Sequence, residues 1–329
     1  MASARPAASP AAAPAAMPRS VSPARRFFNR IVRKKIAMIA VAYLAVFYFA
    51  ALFAPFIAPH DPNLQNFTIE GVRQGPSWDH LLGTDALGRD IFSRVLFAAR
   101  TTTIFTVAVL VTGGIFLGLG LGLLAGYKGG WIDTAIMRVG EVLAGLPTLI
   151  LIIAIAAAFR TRIDDFSFWL QDHTFLNRDD AGAFVDFLVI VGVTVPFAWV
   201  GGARIVRSQA LYLREADFVL AAEVLGASTP RILFRHILPG VIPLFVVGLS
   251  SGMAGIAGTE VALSFLGLGV DPPVASFGTL IGDGAGVRTF QAYPHLLLGA
   301  AVPVVLFFFA WNLLGDALVD LVEVRTSPR

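Results

Sequence analysis

The chain has 329 residues, of which 56% are hydrophobic and 14% charged, with a net charge of +3 and a mean hydropathy of +0.74. Soluble domains run about 45–50% apolar and about 25% charged, so this composition points to a membrane and leaves a buried bundle in a large soluble protein as the weaker reading. The absence of cysteine excludes disulfides, thiolate metal sites and cysteine nucleophiles. No basic stripe of the kind that nucleic-acid binding requires is present.

Residues 1–24 are almost entirely Ala, Pro and Ser, a composition that buries no core and predicts a disordered tail. Its prolines and its lack of an apolar stretch set it apart from a secretory signal. A basic flank follows, with Arg25, Arg26, Arg30, Arg33, Lys34 and Lys35. The segment 25–60 therefore reads as this flank plus a first spanning helix. A hydrocarbon core about 30 Å thick takes roughly 20 helical residues. Six apolar runs have that length, at 36–58, 103–125, 139–158, 186–206, 239–262 and 296–318. The fourth carries Pro196. All are too long for strands, so the expected fold is an all-α polytopic membrane bundle of about six transmembrane helices.

Between the first two runs, 61–100 forms an amphipathic segment expected outside the cytoplasm. From Ala86 the apolar positions 87, 91, 92, 95 and 96 recur at helical spacing with Arg89, Asp90 and Arg94 opposite. This predicts a helix lying on the outer membrane face, with Asp85 and Arg89 as an exposed pair. With the N-terminus inside, 17 of the 25 Lys and Arg fall in inner segments, and the outer loop at 160–186 holds six aspartates. The bias places both termini in the cytoplasm, 319–329 forming the C-terminal tail.

Two enzyme fingerprints are coincidental. Gly120-Leu121-Gly122-Leu123-Leu124-Ala125 fits a dinucleotide pattern but sits in an apolar run with no strand before it. Gly248-Leu249-Ser250-Ser251-Gly252 fits a nucleophile elbow. A serine hydrolase built on Ser250 would need a base in reach, and no histidine lies in a spanning run near it. Small residues four apart, Gly248 with Gly252 and Ser251 with Gly255, fit close helix packing instead. Only three lysines exist, none followed by Ser or Thr, so no P-loop forms. Five scattered histidines and no H-E-x-x-H give no expected metal site. Glu141, Glu260 and Asp316 lie near the ends of spanning runs, where acids face a bundle interior, an aqueous path or the interface. Small neighbours make Glu260, with Ser264, the weak candidate for a substrate pathway.

The polar loop 208–239 separates two apolar runs. Arg214 to Leu225 predicts one short helix, Gly226 breaks it, and Thr229-Pro230 predicts the start of a second short helix ending at Leu238-Pro239. A basic helix–turn–helix outside the membrane implies a soluble reader.

The stretch "DFVLAAEVLGASTPRILFRHILPG" (217–240) resembles the cytoplasmic EAA loop of ABC-importer permeases. Ala221-Ala222, Gly226 and Leu238-Pro239 stand at that pattern's spacings, while Leu220 replaces its Glu and His236 its Ile. "LLGTDALGRDIFSRVLFAAR" (81–100), "GYKGGWIDTAIMRVGEVLAGLP" (126–147) and "ALSFLGLGVDPPVASFGTLI" (262–281) are similar to the peptide/nickel branch, in the second, C-type, permease of a dipeptide/oligopeptide importer. The resemblance implies a permease transmembrane domain over 101–318 in a bacterial inner membrane. It implies ATPase-coupling roles for Asp217, Ala221, Ala222, Gly226, Ala227, Ser228, Pro230, His236 and Pro239. The implied partners are a homologous second permease, two cytoplasmic ATPases, an extracytoplasmic peptide-binding protein and membrane lipid, with no nucleic acid. The chain itself would be non-catalytic and hold no cofactor, ATP and Mg²⁺ being bound by the ATPases. Nickel or another small solute is the alternative cargo, and a passive channel or scaffold the alternative mechanism.

Overall fold

The computed structural model describes residues 34–68, 70–173 and 178–323. The expected tail 1–24, the basic flank before Lys34 and residues 324–329 lie outside the described residues. Among the described residues there are helices and no strand, only an isolated antiparallel bridge between Thr84 and Asp90. The elements are α1 (Lys35–Leu52), α2 (Ala54–Ile57), α3 (Ile91–Lys128), α4 (Gly130–Ala144), α5 (Thr148–His173), α6 (Arg178–Arg214), α7 (Asp217–Val224), α8 (Thr229–Phe265), α9 (Phe277–Gly284), α10 (Val287–Ala292) and α11 (Pro294–Glu323).

Five of these are long and apolar enough to cross a membrane: α1, α3, α6 from Ala181, α8, and α11 as far as Asp320. The third apolar run is broken. Helices α4 and α5 meet at an 85° bend, where Gly145, Leu146 and Pro147 supply a weak helix former, a residue pushed out of the helical region by the following proline, and a missing N–H. The start of α4 sits with the ends of α3 and α6, because Arg207 binds Asp133 with two hydrogen bonds and Arg214 donates to the Tyr127 carbonyl at 3.1 Å. Ile152 of α5 packs beside Phe105 and Val109 of α3 and Ile190 and Val193 of α6. The pair together has the length and composition of a sixth candidate span, bent at its middle. Pro196 lies inside α6 without ending it.

Helix α1 buries Ala37, Ala40, Leu44, Phe47 and Ala51 along one stripe. Phe47 packs on Phe307 of α11 with ring centroids 4.5 Å apart, and Trp311 Nε1 donates to the Tyr48 hydroxyl at 3.1 Å. Lys34 pairs with Asp320, so the start of α1 and the end of α11 share one end of the bundle. Helices α3 and α8 have 38 and 37 residues, about 57 Å at 1.5 Å per residue, and project well past the hydrocarbon layer.

A π-helical segment, Leu110–Leu119, widens α3 at mid-depth. Below it, a Cβ on Gly122 would lie 2.6 Å from Val206 Cβ, and one on Gly126 2.6 Å from Ala210 Cβ. Gly122 of the dinucleotide-like stretch, with Gly126 just after it, thus serves backbone-close packing of α3 on α6, whereas Gly120 meets nothing within 4 Å. Gly248 likewise meets Ile205 at 2.7 Å, whereas Gly252 and Gly255 meet nothing within 4 Å. Packing therefore explains Gly248 and not the other two.

The expected amphipathic surface helix differs from what forms. The chain from Leu64 to Asp90 folds as a loop cap, and α3 begins only at Ile91, with Asp90 capping it by accepting the Ser93 N–H at 2.7 Å. The polar side of the periodic pattern faces this cap, not solvent. Asp85, Arg89, Asp90 and Arg94 are all buried.

Candidate functional site

The loop after α6 is built by short-range signals. Asp217 opens α7 at the positive end of its dipole. At the other end Ala227 N–H donates to the Ala222 carbonyl and Gly226 N–H to the Glu223 carbonyl, with Gly226 at φ +78. This is a Schellman ending. A side chain at Gly226 would cost about 1–2 kcal/mol of left-handed strain. Ser228 precedes α8, Thr229 and Pro230 occupy its first turn, and the Ser228 carbonyl accepts the Ile232 N–H at 3.0 Å.

The second short helix does not end at Leu238-Pro239. It passes through a π-helical turn, Ile232–Ile237, into the spanning part of α8. Pro239 has no N–H to give and its ring crowds the carbonyl four residues back, and the wide turn accommodates both defects. The loop from Thr229 onward is thus continuous with a membrane helix, and α7 joins it through the Gly226 turn. His236 is half-buried with its ring 6.5 Å from that of Phe218, Pro239 and Pro230 are exposed, and Ala227 is half-buried.

The two alanines part company. Ala222 is 9% exposed and shares the inner face of α7 with Val219, which packs with Val206, Ala210, Ile232 and Phe245. Ala221 faces out. The outward tip carries Val224, 87% exposed, and Leu225, 86% exposed, with Phe218 and Leu220 half-exposed beside them. Of the two alanines expected at the docking face, Ala221 is turned out and Ala222 is turned in, because burial of Val219 carries Ala222 inward with it. Small-residue spacing drew attention to the alanines and not to the exposed Val224 and Leu225. The available signal was two consecutive large apolar residues directly before a glycine in a polar loop.

A cavity of about 340 Å³ lies at mid-depth between α3, α5, α6 and α8. Gly114, Gly201, Gly252 and Gly255 line it together with Thr148, Thr194 and Thr259, and no charged residue does. Thr148 stands at the α4–α5 break, and the Thr194 hydroxyl donates to the Ile190 carbonyl at 2.7 Å. Glu260 is not part of this lining. Its carboxylate is 1% exposed and accepts from the Thr102 hydroxyl at 2.7 Å and the Ser264 hydroxyl at 3.1 Å. The Thr102 bond thus ties α8 to α3 and Ser264 supports the carboxylate from within α8, while the preceding residue, Thr259, faces the cavity. Of the other acids, Glu141 is exposed and paired with Arg138 at 3.0 Å, and Asp316 is exposed.

At the opposite end, Asp85 organises a buried charge network. Its Oδ1 accepts the Leu87 and Arg89 N–H groups at 2.8 and 3.0 Å, and its Oδ2 the Arg89 Nε–H at 2.7 Å. Arg94 Nε lies 3.7 Å away and Arg94 Nη1 donates to the Pro62 carbonyl at 3.4 Å. Asp283 of α9 approaches Arg89 at 3.8 Å. Burial pushes the Asp283 carboxyl above the ordinary carboxylate range, and Arg94 and Arg89 pull it back down. A Cβ on Gly88, at φ +72, would sit 2.0 Å from the Asn66 carbonyl oxygen, so the turn at 85–88 requires glycine. That turn, with Asp first and Gly fourth, was the sequence signal for a loop rather than a helix here. The histidines also regroup: His60 and His80 meet beside Asp90, against the expectation that they stay scattered.

Residues 118–328 match the family described as binding-protein-dependent transport system inner membrane component. The chain belongs to this permease family. Residues 22–76 further match the N-terminal TM domain of oligopeptide transport permease C. The glutathione transport system permease protein GsiD of Pectobacterium atrosepticum is 33% identical over 307 residues, 92% of each chain. The oligopeptide transport system permease protein OppC of Bacillus subtilis is 32% identical over 90% of this chain and 88% of its own. The dipeptide transport system permease protein DppC of the same organism is 33% identical over 93% of this chain and 87% of its own. This permease is therefore a multi-pass inner membrane protein, and the resemblance carried by its four motif blocks extends along nearly all of it.

Proposed function

We propose that this permease is one of the two membrane halves of an ATP-driven importer of di- and oligopeptides. The observation that carries the reading is the α7 tip. Val224 and Leu225 stand in water, held by a glycine ending on a loop continuous with a spanning helix, and exposed apolar pairs on rigid supports are partner surfaces. The partners are two ATPases at this surface, a homologous permease and an external peptide-binding protein. ATP and Mg²⁺ belong to the ATPases, and this chain is non-catalytic. Because α8 runs from Thr229 to Phe265 as one continuous helix, ATP-driven movement of α7, passed on through the turn at Gly226, reaches the glycine-rich cavity. The chain contributes differential stability of inward- and outward-facing states. Relatives named for oligopeptides, dipeptides and glutathione support a peptide cargo, and an uncharged cavity with threonine hydroxyls suits it better than a bare cation.

The test is reconstitution. Proteoliposomes with both permeases, both ATPases and the binding protein should take up labelled dipeptide only with ATP, and this chain alone should hydrolyse none. Uptake without ATPases would instead establish a passive channel.

The loop 208–239 is assigned to the cytoplasm and residues 263–294 to the outside. Lys34 with Asp320, Arg207 with Asp133 and Arg214 with the Tyr127 carbonyl bring the ends of α1, α11, α3 and α6 and the start of α4 together with the basic segments, in line with the positive-inside bias. Single cysteines at Ser228 and Asp172, treated with an impermeant thiol reagent in intact cells, should label only at 172. Labelling only at 228 would invert the topology.

A further inference from the structure

One cluster belongs neither to the coupling surface nor to the cavity. His60 follows α2, His80 lies in the loop cap, and Asp90 is the N-cap of α3. His80 Nδ1 is 2.9 Å from Asp90 Oδ1, and His60 Nδ1 is 3.9 Å from Asp90 Oδ2. The three ligand atoms lie within 4.8 Å of one another. His60 Nδ1 is shielded from solvent and has no hydrogen-bond partner, so a buried nitrogen lone pair or N–H points at the cluster unsatisfied. Such orphans are costly unless something completes them.

We propose that His60, His80 and Asp90 form a binding site for a divalent first-row transition-metal cation of the zinc type. Two imidazole nitrogens and one carboxylate match that ion's ligand preference, whereas calcium and magnesium take six or more oxygens. Metal–ligand bonds of about 2.0–2.1 Å put tetrahedral ligand atoms roughly 3.4 Å apart, so a cluster whose ligand atoms already lie within 4.8 Å of one another needs only side-chain adjustment to close on an ion. The fourth position is left to solvent, which reaches the site past the His60 ring, 37% exposed.

The ligands are held by their backbones before any ion arrives. Asp90 Oδ2 accepts the Ser93 N–H, and Ser93 Oγ accepts the His60 N–H at 3.2 Å. Ser77 Oγ accepts the His80 N–H at 3.1 Å, and the His80 carbonyl accepts the Ser77 and Gly83 N–H groups at 2.8 Å each. Arg94 is turned toward Asp85 and the Pro62 carbonyl. The ion would staple the segment after α2 and the loop cap to the start of α3.

The test is zinc binding, which needs no transport and so stands or falls apart from the peptide reading. The full chain, purified in detergent with its co-purifying subunits and a histidine-free tag, is stripped with chelator and dialysed against micromolar Zn²⁺. The wild type should carry one more zinc per copy than His60→Ala/His80→Ala, and Zn²⁺ should raise its thermal midpoint but not that of the variant. Asp90→Asn, which keeps a capping oxygen, should weaken zinc by about tenfold or more, the loss that even outer-shell changes cause at such sites. His173→Ala should match wild type. If the double alanine variant does not accumulate, His80→Gln, whose amide can still bond to Asp90, serves the same comparison. Equal zinc on wild type and variant, or no zinc on wild type, overturns the proposal.

Discussion

Val224→Glu/Leu225→Glu should leave this permease in the membrane at its normal level while abolishing ATPase co-purification and peptide uptake. Neither side chain packs within the chain to any extent, being 87% and 86% exposed, so folding loses almost nothing. At a dry interface each loses an apolar anchor and buries a carboxylate. Anchors of this kind cost about 2 kcal/mol or more when removed, roughly 30-fold in affinity apiece. Ala222→Glu separates the two faces of α7. Its side chain points inward, where a charge meets the chain's own core, so the membrane level itself should fall. Co-purification of ATPases with the tip variant, measured on detergent-extracted membranes alongside uptake, decides the matter. Normal uptake by the tip variant would mean that the loop only connects two spans.

Asp85→Ala should be the most damaging single change at the loop-cap end of the bundle. It removes the acceptor of the Arg89 side chain and two backbone N–H groups and leaves Arg89 and Arg94 as buried cations. Breaking a buried pair from one side costs about 3–5 kcal/mol, a large share of the roughly 5–15 kcal/mol that holds a typical domain. The expected results are a lower thermal midpoint in detergent and little protein in the membrane. Asp85→Asn, which keeps one oxygen for the backbone donors, should be intermediate, and the exposed Asp79→Ala should be neutral. Equal midpoints for Asp85→Ala and Asp79→Ala would show that the network contributes little.

The apolar runs by themselves determined where this chain crosses the bilayer. Hydrocarbon offers no hydrogen-bond partner, so a run of about 20 apolar residues has helix as its one acceptable conformation. Local punctuation was equally legible. Gly226 turns the chain left-handed and Pro230 sits in the first turn of α8, because φ freedom and a missing N–H act over a few residues only. The basic bias of one set of loops was likewise written in composition.

Tertiary structure alone decided which side of each element meets a partner. Helix α7 has apolar residues on more than one side, so periodicity could not choose between Ala222 and Leu225, and the pocket for Val219 made by Val206, Ala210 and Phe245 turned one inward and the other to water. The block at 85–96 has helical periodicity, yet the loop cap covered its charges and began the helix at Ile91. Glu260 found Thr102 in a helix 158 residues away rather than the cavity beside it, and His60, His80 and Asp90 met from three separate segments. Periodicity and turn chemistry are short-range and can be read one element at a time. Which buried group satisfies which is settled only when distant segments close on one another, because an unpaired charge or N–H inside the bundle costs more than any local preference supplies.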